Sequence, residues 1–341
     1  MKLAGLILGI VTMPLAITAS TSWTYSGYAE GFYSQGRVAN AQRKFAPYIF
    51  TYPDNRMVDL NHAAVEIKIK SGDLFGIAGI HTGRYVDENY AAEPSGLRPI
   101  YSLSVGAELL PEWTIEGGVF ASHIGFESAI GKDGPTLTRA LISDNSPYFE
   151  SGIRVTYSET PTLSITGLIL NGWQVMSDPN SSKAVGTQIQ YKLSPNVLIN
   201  SSSFMGNEQS DGAMPKIRYF HDLYSIITVE DRLTLIPAAD IGVQENGLGG
   251  WASWGGAALV AAYQWTPSIR TGARVEFFSD PTGVVVTGVE SVKRASINFD
   301  SDLASGLRWR NELSWTWGSV DPDVRITTAL STAFSGNGEL K

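Results

Sequence analysis

The sequence predicts an all-β protein: a transmembrane, antiparallel, up-and-down β-barrel of about 16 strands, or about 14 if two ambiguous segments are not strands. Three observations carry this reading. Long segments alternate apolar and polar residues with a period of two. Their connections alternate between tight turns and longer loops. An export leader comes first, and no later apolar run is long enough for a helix to cross a bilayer.

The leader is "MKLAGLILGIVTMPLAITAS". Lys2 supplies the positive n-region, an apolar stretch over 3–17 follows, and Thr18, Ala19 and Ser20 close it with small residues. This is the pattern of a secretory signal peptide over 1–19, cut after Ala19 or Ser20. A membrane-spanning helix is the alternative, and the short run with Pro14 inside it argues against that. The chain contains no Cys, which excludes disulfides and an N-terminal lipid anchor on Cys. An exported protein of this size then has its sheet to hold it together, and a closed barrel leaves no strand edge unpaired.

The strands follow in order. In "VEIKIKSGD" (65–73), Val65, Ile67 and Ile69 alternate with Glu66, Lys68 and Lys70 before a turn. "YSLSVGAEL" puts Tyr101, Leu103, Val105, Ala107 and Leu109 on one face and Ser102, Ser104, Gly106 and Glu108 on the other. "VGTQIQYKL" sets Val185, Ile189, Tyr191 and Leu193 against Gln188, Gln190 and Lys192. "IRTGARVEF" sets Ile269, Ala273, Val275 and Phe277 against Arg270, Arg274 and Glu276. "LRWRNELSWTW" sets Leu307, Trp309, Leu313, Trp315 and Trp317 against Arg308, Arg310 and Glu312.

Tight turns are expected at 71–73, 110–113, 158–162, 194–196, 230–232, 266–268 and 300–302, each carrying turn-forming residues. Other loops, mostly longer, are expected near 36–56, 83–99, 123–149, 174–183, 207–215, 245–250, 279–287 and 318–322. Two segments are ambiguous. "LFGIAGIH" (74–81) is apolar on both faces, and "GVVVTGVESVKRASINF" (283–299) shifts its alternation midway, as a bulge or a short first half would.

A soluble sandwich would have strands nearer five or six residues and no long/short rhythm. Here the strands are about twice that length, and face after face opposite the apolar one is charged. Trp23, Trp113, Trp173, Trp251, Trp265 and Trp317 fall near strand ends, as an aromatic girdle requires. The apolar faces are therefore expected to meet lipid. The barrel is expected over 20–334, with 335–341 as a short tail after Phe334.

Three loop phrases, "HTGRYVDENYAAEPSGLRPIY" (81–101), "SHIGFESAIGKDGPTLTRALISDNSPYFESG" (122–152) and "LILNGWQ" (168–174), resemble the putative β-barrel porin-2 family, also called OmpL-like. The resemblance covers about 27–174, and beyond it only the strand rhythm matches. It implies an outer-membrane porin of a Gram-negative envelope, and it names neither a solute nor a catalytic residue. One departure is that outer-membrane barrels usually finish on the aromatic residue read by the assembly machinery, whereas here "SGNGELK" follows Phe334.

Several chemistries are excluded or disfavoured. The formal charge is −8, and −9 once Lys2 leaves with the leader, so nucleic acid is not an expected partner. The four His residues (His62, His81, His123, His221) form no HExxH, and without Cys no common zinc spacing exists. "GFESAIGKD" is no phosphate loop, because Asp133 stands where Ser or Thr is needed. "DSDLASG" lacks most calcium-loop ligands, and no GxSxG occurs. Ser122 and His123 are adjacent and so point to opposite faces of a strand. No enzyme, cofactor or metal is expected.

The inward faces instead suggest a wet lumen. The expected basic residues are Lys68, Lys70, Arg154, Lys192, Arg270, Arg274, Arg308, Arg310 and Arg325. The acidic ones are Glu30, Glu66, Glu108, Glu116, Asp240, Glu276 and Glu312. About 16 strands leave room for an aqueous channel. The loop 123–149 is the longest and carries Glu127, Lys132, Asp133, Arg139 and Asp144. Folded inward against the basic wall it would set a constriction with a transverse field; lying outside, it would only shield the barrel.

Two functions stay open: a passive diffusion channel for small hydrophilic solutes or ions, and a non-conducting barrel serving as a scaffold or partner-binding surface. The expected partners are outer-membrane lipid, the barrel-assembly machinery and small hydrophilic solutes, with self-association into a homo-oligomer left open.

Overall fold

A computed structural model describes residues 20–37, 48–54 and 56–340. The segment 1–19, expected as a leader, lies outside the described residues. Sixteen strands occur in chain order: β1 (Thr21–Gln35), β2 (Val58–Ser71), β3 (Leu74–Thr82), β4 (Ile100–Leu110), β5 (Trp113–Ala121), β6 (Phe149–Thr160), β7 (Leu163–Leu170) and β8 (Ala184–Ser194). The second half is β9 (Val197–Asn207), β10 (Ile217–Val229), β11 (Leu233–Glu245), β12 (Trp251–Thr266), β13 (Ile269–Ser279), β14 (Ser291–Ala304), β15 (Leu307–Gly318) and β16 (Asp323–Leu340). Each pairs antiparallel with its sequence neighbours, and β16 pairs with β1 to close the barrel. Two one- to two-turn helices, α1 (Arg84–Asn89) and α2 (Leu141–Asp144), lie in the long loops.

The alternation sorts residues as lipid and lumen demand. In β2, Val65, Ile67 and Ile69 are exposed on the outer surface, as are Ile189 and Tyr191 in β8. In β13 and β15 the charged alternates Arg274, Glu276, Arg310 and Glu312 are buried inside. Trp113, Trp251 and Trp265 are exposed near strand ends, where an aromatic belt belongs.

The segment 74–81 is a strand, within β3, so the count is 16. Five details differ from the sequence reading. Residues 283–290 are loop, and β14 starts only at Ser291; Val284, Val285, Val286 and Val289 pack inward against the apolar interior. An inward loop and a lipid-facing strand need the same apolar residues, which is why the alternation broke there. The turn expected at 300–302 falls instead between Ala304 and Leu307, where Gly306 takes φ +74°, a conformation costly for residues with a Cβ. Asp300 and Asp302 are thereby strand residues.

Tyr101 does not share the outer face with Leu103. The β3–β4 register slips between Gly79 and Ile80, and at this bulge Tyr101 stacks inward, 6.0 Å from His62 and 5.4 Å from His81. Trp173 is not a girdle residue; it packs on Phe204 and Phe220 inside the mouth. Finally, residues 335–340, expected as a tail, continue β16 and pair with the start of β1, from Ser26↔Ser335 to Thr21↔Leu340. This seam is an aromatic–glycine zipper. Phe334 lies over Gly27, Tyr25 over Gly336 and Trp23 over Gly338, and a Cβ on Gly27 would sit 2.1 Å from the Phe334 ring.

Candidate functional site: a loop bound across the lumen

The loop 122–148, between β5 and β6, lies inside the barrel. Its entry is fixed to the β8–β9 wall: His123 O accepts from Gln188 Nε2 and Ser202 Oγ, both at 2.7 Å. The His123 ring bridges Glu150 (2.9 Å) and the Ser203 carbonyl (2.9 Å). Burial disfavours charge on this imidazole, but the Glu150 carboxylate outweighs it and raises the pKa. Ser122 also donates to Glu150. Both ring nitrogens of His123 are thus engaged, and neither activates a serine hydroxyl.

Further along, Ala129 O meets His62 Nδ1 at 3.1 Å. The loop then crosses to the β13–β15 wall. Arg310 donates to the Gly131 and Gly134 carbonyls, Arg270 to Gly134 O (2.8 Å) and Arg308 to Lys132 O (3.3 Å). Arg274 donates to Thr138 O (2.5 Å) and to both threonine hydroxyls, of Thr136 and Thr138. Arg294 donates to Arg139 O. Wall acids take the loop's N–H groups: Glu312 Oε2 accepts from Thr138 N (2.8 Å) and Glu276 Oε2 from Leu141 N (2.5 Å). Buried backbone groups need such partners, so the wall charges satisfy a segment with little secondary structure of its own.

The arginines are paired as well. Arg310 and Arg270 share Asp300 (3.0 and 2.6 Å), Arg274 and Arg294 share Glu276 (2.8 and 2.6 Å), and Arg308 meets Asp302 at 2.6 Å. In five cases, Arg310–Asp300, Arg270–Asp300, Arg294–Glu276, Arg308–Asp302 and Arg154–Glu116, the partners stand directly opposite each other on neighbouring strands.

The predicted residues now divide. Arg274, Glu276, Arg310, Glu312 and Arg325 face inward but are buried beneath the loop; Arg274 is 1% exposed and Arg310 0%. Glu30, Asp240 and Glu116 are also buried. The expectation of a bare basic wall facing an acidic loop is therefore corrected: Arg270, Arg274, Arg308 and Arg310 are ion-paired within the wall, and what the loop offers them is mainly carbonyl oxygen. Glu66, Lys68, Lys70, Glu108, Arg154, Lys192, Arg270 and Arg308 keep solvent access in the half nearest the short turns. There Lys70 pairs with Glu108 (2.6 Å), Arg154 with Glu116 (2.7 Å), and Lys68 sits over the Phe75 ring.

Of the loop residues, Lys132 and Asp133 pair with each other at 2.7 Å. Arg139 is buried between the rings of Tyr85 and Tyr148. Glu127 accepts from Ala140 N at 2.7 Å, and burial raises its pKa. Burial likewise raises Asp144, to about 6. Sequence reasoning missed Arg294, Asp300 and Asp302, hidden by the misplaced turn and by the shifted alternation over 283–299.

The other side of the loop meets apolar groups. Ile124, Leu141 and Ile142 pack with Leu168, Phe204, Phe220, Trp254 and Phe278 on the inner faces of β7 to β13. A cavity of about 730 Å³ lies on the short-turn side, lined by Lys132, Asp133, Asp302 and Arg308. A second, of about 290 Å³, lies among the long loops. The described residues hold no group of three His, Asp or Glu placed for a metal ion.

A family model described as putative beta-barrel porin-2, OmpL-like, matches residues 22–337. No curated protein matches the chain. Among solved structures, the chain is similar to in-vitro folded OmpT of Vibrio cholerae in its trimer form, with TM-score 0.60 and 8% identity over 93% of this chain and 100% of that one. It is also similar to an anion-selective porin from Comamonas acidovorans, with TM-score 0.59 and 9% identity over 92% and 100%. A third is OprB of Pseudomonas putida, with TM-score 0.57 and 10% identity over 93% and 94%. At these identities the likeness speaks for the fold.

Proposed function

Since the chain belongs to the OmpL-like β-barrel porin-2 family and its fold is that of an outer-membrane barrel, we propose that it is a passive diffusion channel for small hydrophilic solutes or ions, narrowed by the loop 122–148. The observation that carries this reading is the loop's position across the lumen, with a polar, solvent-accessible space on its short-turn side. A loop at that place sets the width of any aqueous route. Because its wall contacts are neutral ion pairs and carbonyl bonds, its position controls conductance more than charge selectivity does.

The reading includes no catalytic step. It includes removal of the leader near residue 19, delivery by the barrel-assembly machinery through the aromatic residue Phe334 within the last strand, and self-association in the outer membrane. Mass spectrometry of mature protein beginning at Met1 would contradict the leader.

A second reading is a non-conducting barrel used as a scaffold. It is favoured by the bonds that tie the loop to both walls at once. Planar-bilayer recording on purified, folded protein separates the two. Ion conduction that grows when part of 127–144 is deleted supports the channel. A well-folded barrel that stays silent with and without the deletion supports the scaffold.

A further inference from the structure

The cavity among the long loops has chemistry that the channel reading leaves unassigned. It measures about 290 Å³, and its lining includes Glu88, Asp144, Asn145, Tyr148, Trp173 and Arg218. Asp144 and Asn145 are 4% and 8% exposed. Asp144 Oδ1 accepts from Tyr148 OH at 2.9 Å and from Thr51 Oγ1 at 3.4 Å; its Oδ2 is buried with no hydrogen-bond donor among the described residues, the Arg139 and Arg294 guanidiniums acting on its charge through space. The Asn145 amide is oriented by Nδ2 donating to Leu141 O at 2.7 Å, and its Oδ1 is also buried with no donor among the described residues. Two buried acceptors on consecutive residues that line one cavity are costly without donors, unless a ligand supplies N–H or O–H groups.

Arg218 has the opposite need. It is 8% exposed, and its Nε and Nη2 both donate to Gln244 Oε1, at 2.9 and 2.7 Å. Nη1 has no hydrogen-bond partner among the described residues. The guanidinium lies over the rings of Trp173 (5.1 Å) and Trp254 (5.3 Å), which hold it without neutralising it. It forms no salt bridge among the described residues, and the Glu208 and Asp280 carboxylates act on it only through space, so a carboxylate in direct contact is the group it lacks. Tyr148 and Trp173 add aromatic surface to the lining, and Val284 and Val285 add apolar surface.

We propose that this cavity binds a small zwitterion of the α-amino-acid class carrying an aromatic or apolar side group, its carboxylate on Arg218 and its ammonium on Asp144 and Asn145. A simple anion would leave the two acceptors unmet, and a simple cation would face Arg218. The proposal deepens the channel reading by naming a solute class, and it rests on that reading for its biological meaning but not for the binding itself.

The test is calorimetric titration of the folded, detergent-solubilised full chain with L-phenylalanine, phenethylamine and 3-phenylpropionate. Phenylalanine should bind at least tenfold more tightly than either single-charge analogue. Arg218→Gln should reduce phenylalanine affinity at least tenfold and leave the much weaker phenethylamine unweakened. The ligand series needs no variant, so a misfolded substitution cannot shelter the idea. Equal affinity for the three compounds, or no binding of phenylalanine, overturns the proposal. Conductance in KCl is recorded separately: a conducting protein that ignores phenylalanine defeats this site alone, and a silent barrel that binds it defeats the channel and keeps the site.

Discussion

Replacing Arg310 with Met should loosen the loop rather than change which ions pass. Arg310 donates to two loop carbonyls, Gly131 O and Gly134 O, and pairs with Asp300 at 3.0 Å. Met keeps much of the side-chain bulk and removes every donor. Each hydrogen bond to a charged group contributes about 1.5–3 kcal/mol. Gly134 O keeps Arg270, and Asp300 keeps Arg270 and Asn298, so those losses are partly compensated. Gly131 O loses its arginine. We predict a net cost to docking of about 3 kcal/mol, at the low end for breaking a buried pair, which is roughly a hundredfold shift in the docked/undocked ratio.

Single-channel recording in planar bilayers reads this directly. Open events should become about a hundredfold more frequent, or the main conductance should rise, while the reversal potential in a salt gradient barely moves. The double variant with Arg274→Met, which also breaks the bonds to Thr136 and Thr138, should go further. A shift of reversal potential toward cations with unchanged conductance would mean that these arginines act as field sources on an open path, and the anchoring argument would be wrong.

Other outcomes are expected. Ile189→Arg, on the outer face of β8, should cost about 2–4 kcal/mol near mid-membrane in a reversible folding assay, and Gln190→Arg on the inner face far less; equal costs would refute the assigned orientation. Gly27→Val places a Cβ against the Phe334 ring, so closure of β1 on β16 should weaken by about 1–3 kcal/mol, read as loss of the compact band on unheated gels; Phe334→Ala in the same chain should restore part of it. Docking holds Asp144 at about 6 against an ordinary 3.8, with Glu127, Arg139, Arg294, Arg325 and Tyr148 the charged and titratable groups around it, so the docked loop binds the extra proton and docking weakens as pH rises from about 4 to about 6. Conductance should therefore climb over that range and level off above it, and Asp144→Asn should flatten the climb; a conductance that falls over the same range would contradict the assignment.

The barrel was legible because lipid and water impose opposite demands on alternate residues. Val65, Ile67 and Ile69 could belong to nothing but one outer face once Glu66, Lys68 and Lys70 were placed inside. That the inner wall carries charged residues was legible for the same reason, but its net sign was not, because Asp300 and Asp302 were left out of the sheet. What the wall does was not, because pairing depends on register, and register depends on the residue at which each turn sits. Reading "DSD" at 300–302 as a turn removed Asp300 and Asp302 from the sheet. With the turn at Gly306 they fall opposite Arg310 and Arg308. Apolar loop residues were illegible for a different reason. Val284 to Val286 have the composition of a strand facing lipid, and only the closed barrel shows that they pack on its interior.

Register also decides how the wall acts on the loop. An arginine opposite a carboxylate on the next strand has its charge largely cancelled within the wall. Its planar fork still carries five N–H groups, more than one carboxylate can accept. The spare donors of Arg270, Arg274, Arg294, Arg308 and Arg310 point at the space a loop would fill, and the carbonyls of Gly131, Lys132, Gly134, Thr138 and Arg139 fill it. A wall of lysines paired with the same acids would be as neutral but would offer no such fork. The structure therefore uses arginine here as an oriented donor set for an irregular backbone, and Arg310→Lys, which preserves the charge and removes the fork, should undock the loop nearly as well as Met does.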